Sequence, residues 1–126
     1  MPLQHEELTH KIIGASITVH KKLGPGFVES IYQRSLCKEL KKVGVGFDVE
    51  VHAPVHYDDE EVGHHKIDLL AEGLIVVELK AVKHLEDGHF SVVRSYLRAL
   101  DLEHGLLLNF AKPTLEIRRV IISVRP

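Results

Sequence analysis

The sequence predicts one α/β domain spanning residues 1–126. Three features point there. Two amphipathic helical stretches open the chain, strand-like segments begin after Gly46, and a strand–helix–strand run fills the second half. Strand, helix, strand in that order implies a right-handed crossover and a parallel pair. The expected order is α-α-β-β-β-α-β-β, a mixed sheet flanked by helices.

The first helix is expected from about Glu6 to Leu23. Leu8, Ile12, Ala15, Val19 and Leu23 recur at intervals of three and four, which makes one apolar stripe. Lys21 and Lys22 occupy the last turn, where cations favour the helix dipole, and Gly24-Pro25 stops it. The second helix is expected from about Gly26 to Val43. Its stripe is Val28, Ile31, Leu36, Leu40 and Val43, and Gly44 ends it. Phe47 to Val51 alternates with period two and reads as a strand, which Pro54 breaks or confines to an edge. Asp58-Asp59-Glu60-Glu61 is a polar turn, Val62 to Ala71 the next strand, and Glu72-Gly73 a second turn. Leu74 to Lys80 is apolar almost throughout, as a central strand covered on both faces should be. A helix from Glu86 to Leu102 turns Val92, Val93, Tyr96, Leu97 and Leu100 inward. A short buried strand, Leu106 to Phe110, and a last strand, Leu115 to Val124, complete the chain.

Composition narrows the class. At 44% hydrophobic and 27% charged, 126 residues can bury a core without staples. The formal net charge of −2 weighs against a protein that coats nucleic acid non-specifically, though not against a local basic groove. Cys37 is the one cysteine, so no internal disulfide can form, and a reducing compartment is expected. Met1 to His10 lacks the apolar run of a signal peptide. No stretch approaches the roughly 18 apolar residues of a membrane span. The expected location is the cytoplasm, with no membrane partner.

The chemistry gathers around Gly73. Asp68 lies five residues before it and Glu78 five after it, so a hairpin centred there sets the two carboxylates opposite each other. Like charges so placed repel, and burial increases the cost. A divalent cation, Mg²⁺ or Mn²⁺, is the simplest compensation. Residues two apart on a strand share a face, so Lys80 joins Glu78, and Lys66 is expected beside Asp68. A lysine there can orient an attacking water or stabilise charge growing on a phosphate.

Asp68, nine intervening residues and then Glu78-Leu79-Lys80 resemble the D-x(n)-E-x-K signature of PD-(D/E)XK nucleases. Gly26-Phe27-Val28-Glu29-Ser30-Ile31-Tyr32 spells G-x-x-E-x-x-Y. With Ile12 to Ala15, Val19 to Gly26, Asp68 to Leu70, Val77 to Val82 and Gly105 to Phe110, the chain is similar to the bacterial GxxExxY protein family from about Leu8 to Val120. That family is assigned to the PD-(D/E)XK superfamily. The resemblance implies a restriction-endonuclease-like α-β-β-β-α-β core with an extra N-terminal helix. It implies a metal site on the central hairpin, with Asp68, Glu78 and the Leu79 carbonyl as ligands and Glu29 as a further acid. Lys80 would be the catalytic lysine, with Tyr32 and Tyr96 in support. One departure stands out. Relatives carry glutamine about four residues before the tyrosine of the late helix, and here Val92 precedes Tyr96.

The reading is a metal-dependent nuclease acting on nucleic acid. The alternative is a nuclease-fold module that has lost the chemistry and binds nucleic acid or a protein partner. A scaffold holding only a structural ion is the third. Lys83, Arg94 and Arg98, with Arg118 and Arg119, are candidate phosphate contacts, and Arg94 and Arg98 share one helix face. A homo-oligomer is compatible with such a domain, because two sites could face two strands. Simpler roles stand beside these: a surface salt-bridge ladder for Asp68, Glu78 and Lys80, dipole preference for Glu29, and packing for Tyr32. The ten histidines do not suggest zinc. His64 and His65 face opposite sides, His52 and His56 flank Pro54, and no H-E-x-x-H occurs, so most read as surface residues.

Overall fold

Ile75-Val76-Val77, part of the unbroken apolar run from Leu74, lies in the middle strand of the sheet. A computed structural model describes residues 5–124; Met1 to Gln4, part of the stretch read above as no signal peptide, lie outside the described residues. The elements are α1 (His5–Leu23), α2 (Glu29–Lys42), β1 (Phe47–Tyr57), β2 (Glu60–Ala71), β3 (Ile75–Lys80), α3 (Asp87–Leu100), β4 (His104–Asn109) and β5 (Glu116–Ile121). The order is the expected one. The sheet runs β1-β2-β3-β4-β5, with β3 and β4 parallel and the other neighbours antiparallel. From α2 to β4 this is the restriction-endonuclease-like core, with α1 and β5 added.

Alternation along β3 divides the interior. Ile75, Val77 and Leu79 pack with Leu8, Ile12, Ala15 and Val19 of α1 and with Tyr32, Leu36 and Leu40 of α2. Val76 packs on the other face with Val93, Tyr96 and Leu97 of α3, beside Leu107 and Val120. Each fully buried aliphatic side chain contributes roughly 1.5–3 kcal/mol. Gly105 lets α3 approach closely, because a Cβ there would meet Val93 Cγ1 at 2.9 Å and Val76 O at 3.5 Å.

Two expectations need correction. Val28, Ile31 and Val43 are exposed, and the buried row of α2 is Tyr32, Leu36 and Leu40. Val28 and Val43 are caps outside the helix, and Ile31 lies about 100° round from Tyr32. Val92 is likewise 39% exposed beside buried Val93. Of the two readings of Pro54, confinement to an edge holds, since it sits opposite His64 within the ladder of β1. β1 is an edge strand, where a missing N–H costs nothing on the open side. Among the described histidines His20 is the buried one, with Nε2 2.8 Å from the Lys112 carbonyl.

The β1–β2 pair is much longer than the rest of the sheet. It runs from Phe47↔Ala71 to Tyr57↔Glu60, whereas β3 pairs with only Leu69, Leu70 and Ala71. The remainder is a two-stranded arm. Glu50 has φ 53°, and no pair joins it to Asp68 across the ladder. Beyond that kink Val51, Ala53 and Ile67 pack with α3, while Val49 before it lines a groove on the α2 side. The kink therefore folds the arm over α3.

The G-x-x-E-x-x-Y segment works as a latch. The buried Tyr32 hydroxyl donates to the Gly24 carbonyl at 2.6 Å and accepts from the Phe27 amide at 3.2 Å. Its ring stacks on Phe110, with centroids 4.4 Å apart. Tyr32→Phe keeps the stack and orphans both backbone groups, at a cost of about 1–3 kcal/mol. The expected fall in Tm is about 4 °C for each kcal/mol in a domain of this size. A thermal melt matching wild type would show that the latch adds nothing.

Candidate active site on the β2–β3 hairpin

Glu72 and Gly73 both take positive φ, 54° and 66°, which suits the tight turn of a twisted hairpin. The pairs Leu69↔Val77, Leu70↔Val76 and Ala71↔Ile75 centre the hairpin on Gly73. Asp68 and Glu78 come next along it. Asp68 is held in place by backbone: its Oδ2 accepts from the Leu79 amide at 3.2 Å, and its carbonyl accepts from Gln33 Nε2 at 2.7 Å.

Glu78 is almost completely buried, at 3% exposure. Lys80 Nζ lies 3.3 Å from its Oε2, while Oε1 is buried without a hydrogen-bond partner. Burial, and then the adjacent Asp68 charge, push the Glu78 carboxyl up to about 8, against the pull of Lys80. Tyr96 closes the site from α3. Its own burial, followed by the charges of Glu78 and Asp68, raises its hydroxyl to about 12, so it stays a proton donor at neutral pH. His65 braces this side, with Nε2 2.8 Å from Ser95 Oγ and its ring 4.9 Å from that of Tyr96.

Lys66 does not join the cluster. The kink at Glu50 and Asp68 puts Ile67 and His65 against α3, and alternation turns exposed Lys66 to the outer face. Glu29 is half-buried in the first turn of α2, one turn before Gln33 on the same helix face. It does not close with Asp68 and Glu78 into a trio within 4.8 Å. Lys83 is exposed in the loop after β3. Arg94 is half-buried and donates to Ser91 Oγ. Arg98 lines a groove of about 380 Å³ between α3 and the arm, beside Pro54, Val55 and His56.

Two residues that sequence reasoning missed hold the site together. Gln33 is one, and its G-x-x-E-x-x-Y-Q context carried no signal for a contact 35 positions away. Asn109 is the other. Fully buried opposite Lys80, it accepts from the Val82 and Ala111 amides and donates to the Val82 carbonyl and Glu116 Oε1. A lone amide ending the apolar run Leu106-Leu107-Leu108 was the available clue. Asn109→Ala orphans three backbone groups and is expected to cost about 3 kcal/mol or more. Urea denaturation checks this, and an unchanged midpoint would mean that water replaces the amide.

The donor set suits a hard divalent cation. Two adjacent carboxylates, one with a buried unpartnered oxygen, offer the negative oxygen ligands that such ions take. Among the described residues no helix is long and apolar enough to cross a membrane. No curated protein and no solved structure matches the chain. Residues 6–120 match the PD-(D/E)XK nuclease superfamily, and the chain belongs to that superfamily.

Proposed function

We propose that this protein hydrolyses phosphodiester bonds of nucleic acid with the help of Mg²⁺ or Mn²⁺. One observation carries the reading: the buried, unpartnered Glu78 Oε1 next to Asp68. Two such carboxylates cannot both ionise without a compensating charge. A proton kept on Glu78 meets that need without metal, and a divalent cation meets it better. Asp68, Glu78 and the Leu79 carbonyl would hold the ion, with Glu29 reaching it through water. When bound, it neutralises phosphate charge and acidifies a water.

The chain's own groups do the rest. Lys80 Nζ, anchored on Glu78 and partly open to solvent, orients the attacking water and stabilises charge on the phosphate. Tyr96 donates toward the carboxylates and keeps them aligned. Gln33 and the Leu79 amide stop Asp68 from swinging away. Lys83, Arg94 and Arg98 are the phosphate contacts outside the site. The intact latch from Gly24 to Tyr32 further supports placing the chain in the GxxExxY branch of the superfamily.

Val92 favours a second reading. It stands one turn before Tyr96, exposed, and brings no amide to the site. A module that binds nucleic acid or a protein partner without cutting would fit that loss. The test incubates the purified chain with single-stranded, duplex and branched nucleic acids plus Mn²⁺ or Mg²⁺, beside an Asp68→Ala/Lys80→Ala control shown to be folded. Metal-dependent cleavage by wild type alone supports the nuclease. Cleavage by neither supports the binding module.

A further inference from the structure

The outer face of the arm carries a second cluster, away from the nuclease site. His52, Glu61 and His64 each offer one ligand atom, and the three atoms lie within 4.8 Å of one another. It is the one such group of His, Cys, Asp and Glu among the described residues. The two imidazole rings sit 4.4 Å apart, inclined by 32°, and His52 Nε2 is 3.5 Å from Glu61 Oε2.

Sequence spacing conceals this trio. His52 faces Lys66 in the ladder and Pro54 faces His64, so His52 and His64 are diagonal neighbours on one face. Glu61 is three residues from His64, and a regular strand would turn it to the other face. The register shifts between Val55 and His56, however: Val55 pairs with Gly63 but His56 with Glu61, which leaves Val62 as the extra residue of a bulge. That one-residue bulge reverses the alternation and aims Glu61 at the histidines. His65, by contrast, faces Ser95 and Tyr96 on the inner side.

We propose that His52, Glu61 and His64 form a binding site for zinc, distinct in position and in metal preference from the carboxylate site. Two imidazoles and a carboxylate are a ligand set for a late first-row cation, whereas Mg²⁺ takes an all-oxygen shell. Ligand atoms bonded at about 2.0–2.2 Å to a tetrahedral ion lie roughly 3.4 Å apart, so closure from 4.8 Å requires each exposed side chain to move by about 1 Å. The fourth position opens to solvent. Asp58, Asp59 and Glu60 at the tip add negative charge, while exposed Lys66 on the same face can turn its ammonium away. A bound ion would clamp β1 to β2 at the bulge, where the register shifts.

The test is zinc competition against a chromogenic chelator at neutral pH, using the full chain. Wild type and Asp68→Ala are each expected to take up one tight equivalent. His64→Ala and His52→Ala, both at exposed positions, should each weaken it at least tenfold. Co²⁺ should give visible absorption bands with wild type that His64→Ala abolishes. Uptake unchanged in both histidine variants would overturn the proposal. So would uptake lost in Asp68→Ala and kept in His64→Ala, which would assign the ion to the hairpin site. Because the proposal does not rest on the nuclease reading, Asp68→Ala separates the two.

Discussion

Lys80→Ala is expected to lower metal-dependent cleavage by about 10²- to 10³-fold, the usual loss when a preorganised stabiliser of transition-state charge is removed. Among the described residues, Lys80 is the one cation paired with buried Glu78, 3.3 Å from its Oε2 and 24% exposed along its side chain. Partly exposed, its ammonium can meet both Glu78 and a phosphate arriving from solvent. Truncation leaves the core intact, since Lys80 lies at the last position of β3 and its carbonyl still accepts from the Phe110 amide at 2.8 Å. Single-turnover cleavage at saturating Mn²⁺ is the measurement, with a thermal melt to confirm the fold. A loss confined to kcat places Lys80 at the reacting phosphate. A folded variant that cuts at the wild-type rate would remove Lys80 from the mechanism.

Glu78→Gln should stabilise the metal-free protein above about pH 5 and flatten its pH dependence. The sign follows from the raised carboxyl. In the unfolded chain Glu78 titrates near 4.5, and in the folded protein near 8. Below 4.5 both states hold the proton. Between the two values the unfolded state releases it and the folded state keeps it, so stability falls as pH rises through this window. Each unit of difference corresponds to about 1.4 kcal/mol, so the total is of the order of a few kcal/mol. The expected fall in Tm between pH 5 and 8 is on the order of 10 °C. Glutamine has no charge to desolvate beside Asp68 and escapes this loss. Melts in a chelator across that range, wild type against variant, isolate the Glu78 contribution. Parallel pH profiles would mean that Lys80 already compensates the Glu78 charge. Mn²⁺ should raise wild-type Tm most at high pH, where it need displace no proton, and should do little for the variant.

The largest parts of the architecture depended on local chain properties. The three- and four-residue stripe of α1, the apolar run of β3 and the Glu72-Gly73 turn each act within a few residues, so their pattern was readable. The same turn set the register that makes Asp68 and Glu78 neighbours, and residues two apart on β3 put Lys80 beside Glu78. Tyr96 followed from the stripe of α3. Long-range contacts were not readable. Gln33 meets Asp68 across 35 positions, and Asn109 clamps Val82 across 27, because helix and strand packing brings them there. Glu29 shares the helix face of Gln33, yet α2 holds it outside the closest carboxylate pair.

Two departures from regular strand geometry mark the boundary most clearly. Alternation is a rule about uninterrupted strands. The kink at Glu50 turned Lys66 away from Asp68, and the bulge at Val62 brought Glu61 round to His52 and His64. Neither is written in residue periodicity, since each arises where two strands must bend over α3 while staying paired. From its sequence alone this protein determined its elements, their order and the Asp68, Glu78 and Lys80 hairpin. Only the tertiary structure decided which side chains beyond that hairpin meet, because the bends that re-aim them are set by packing.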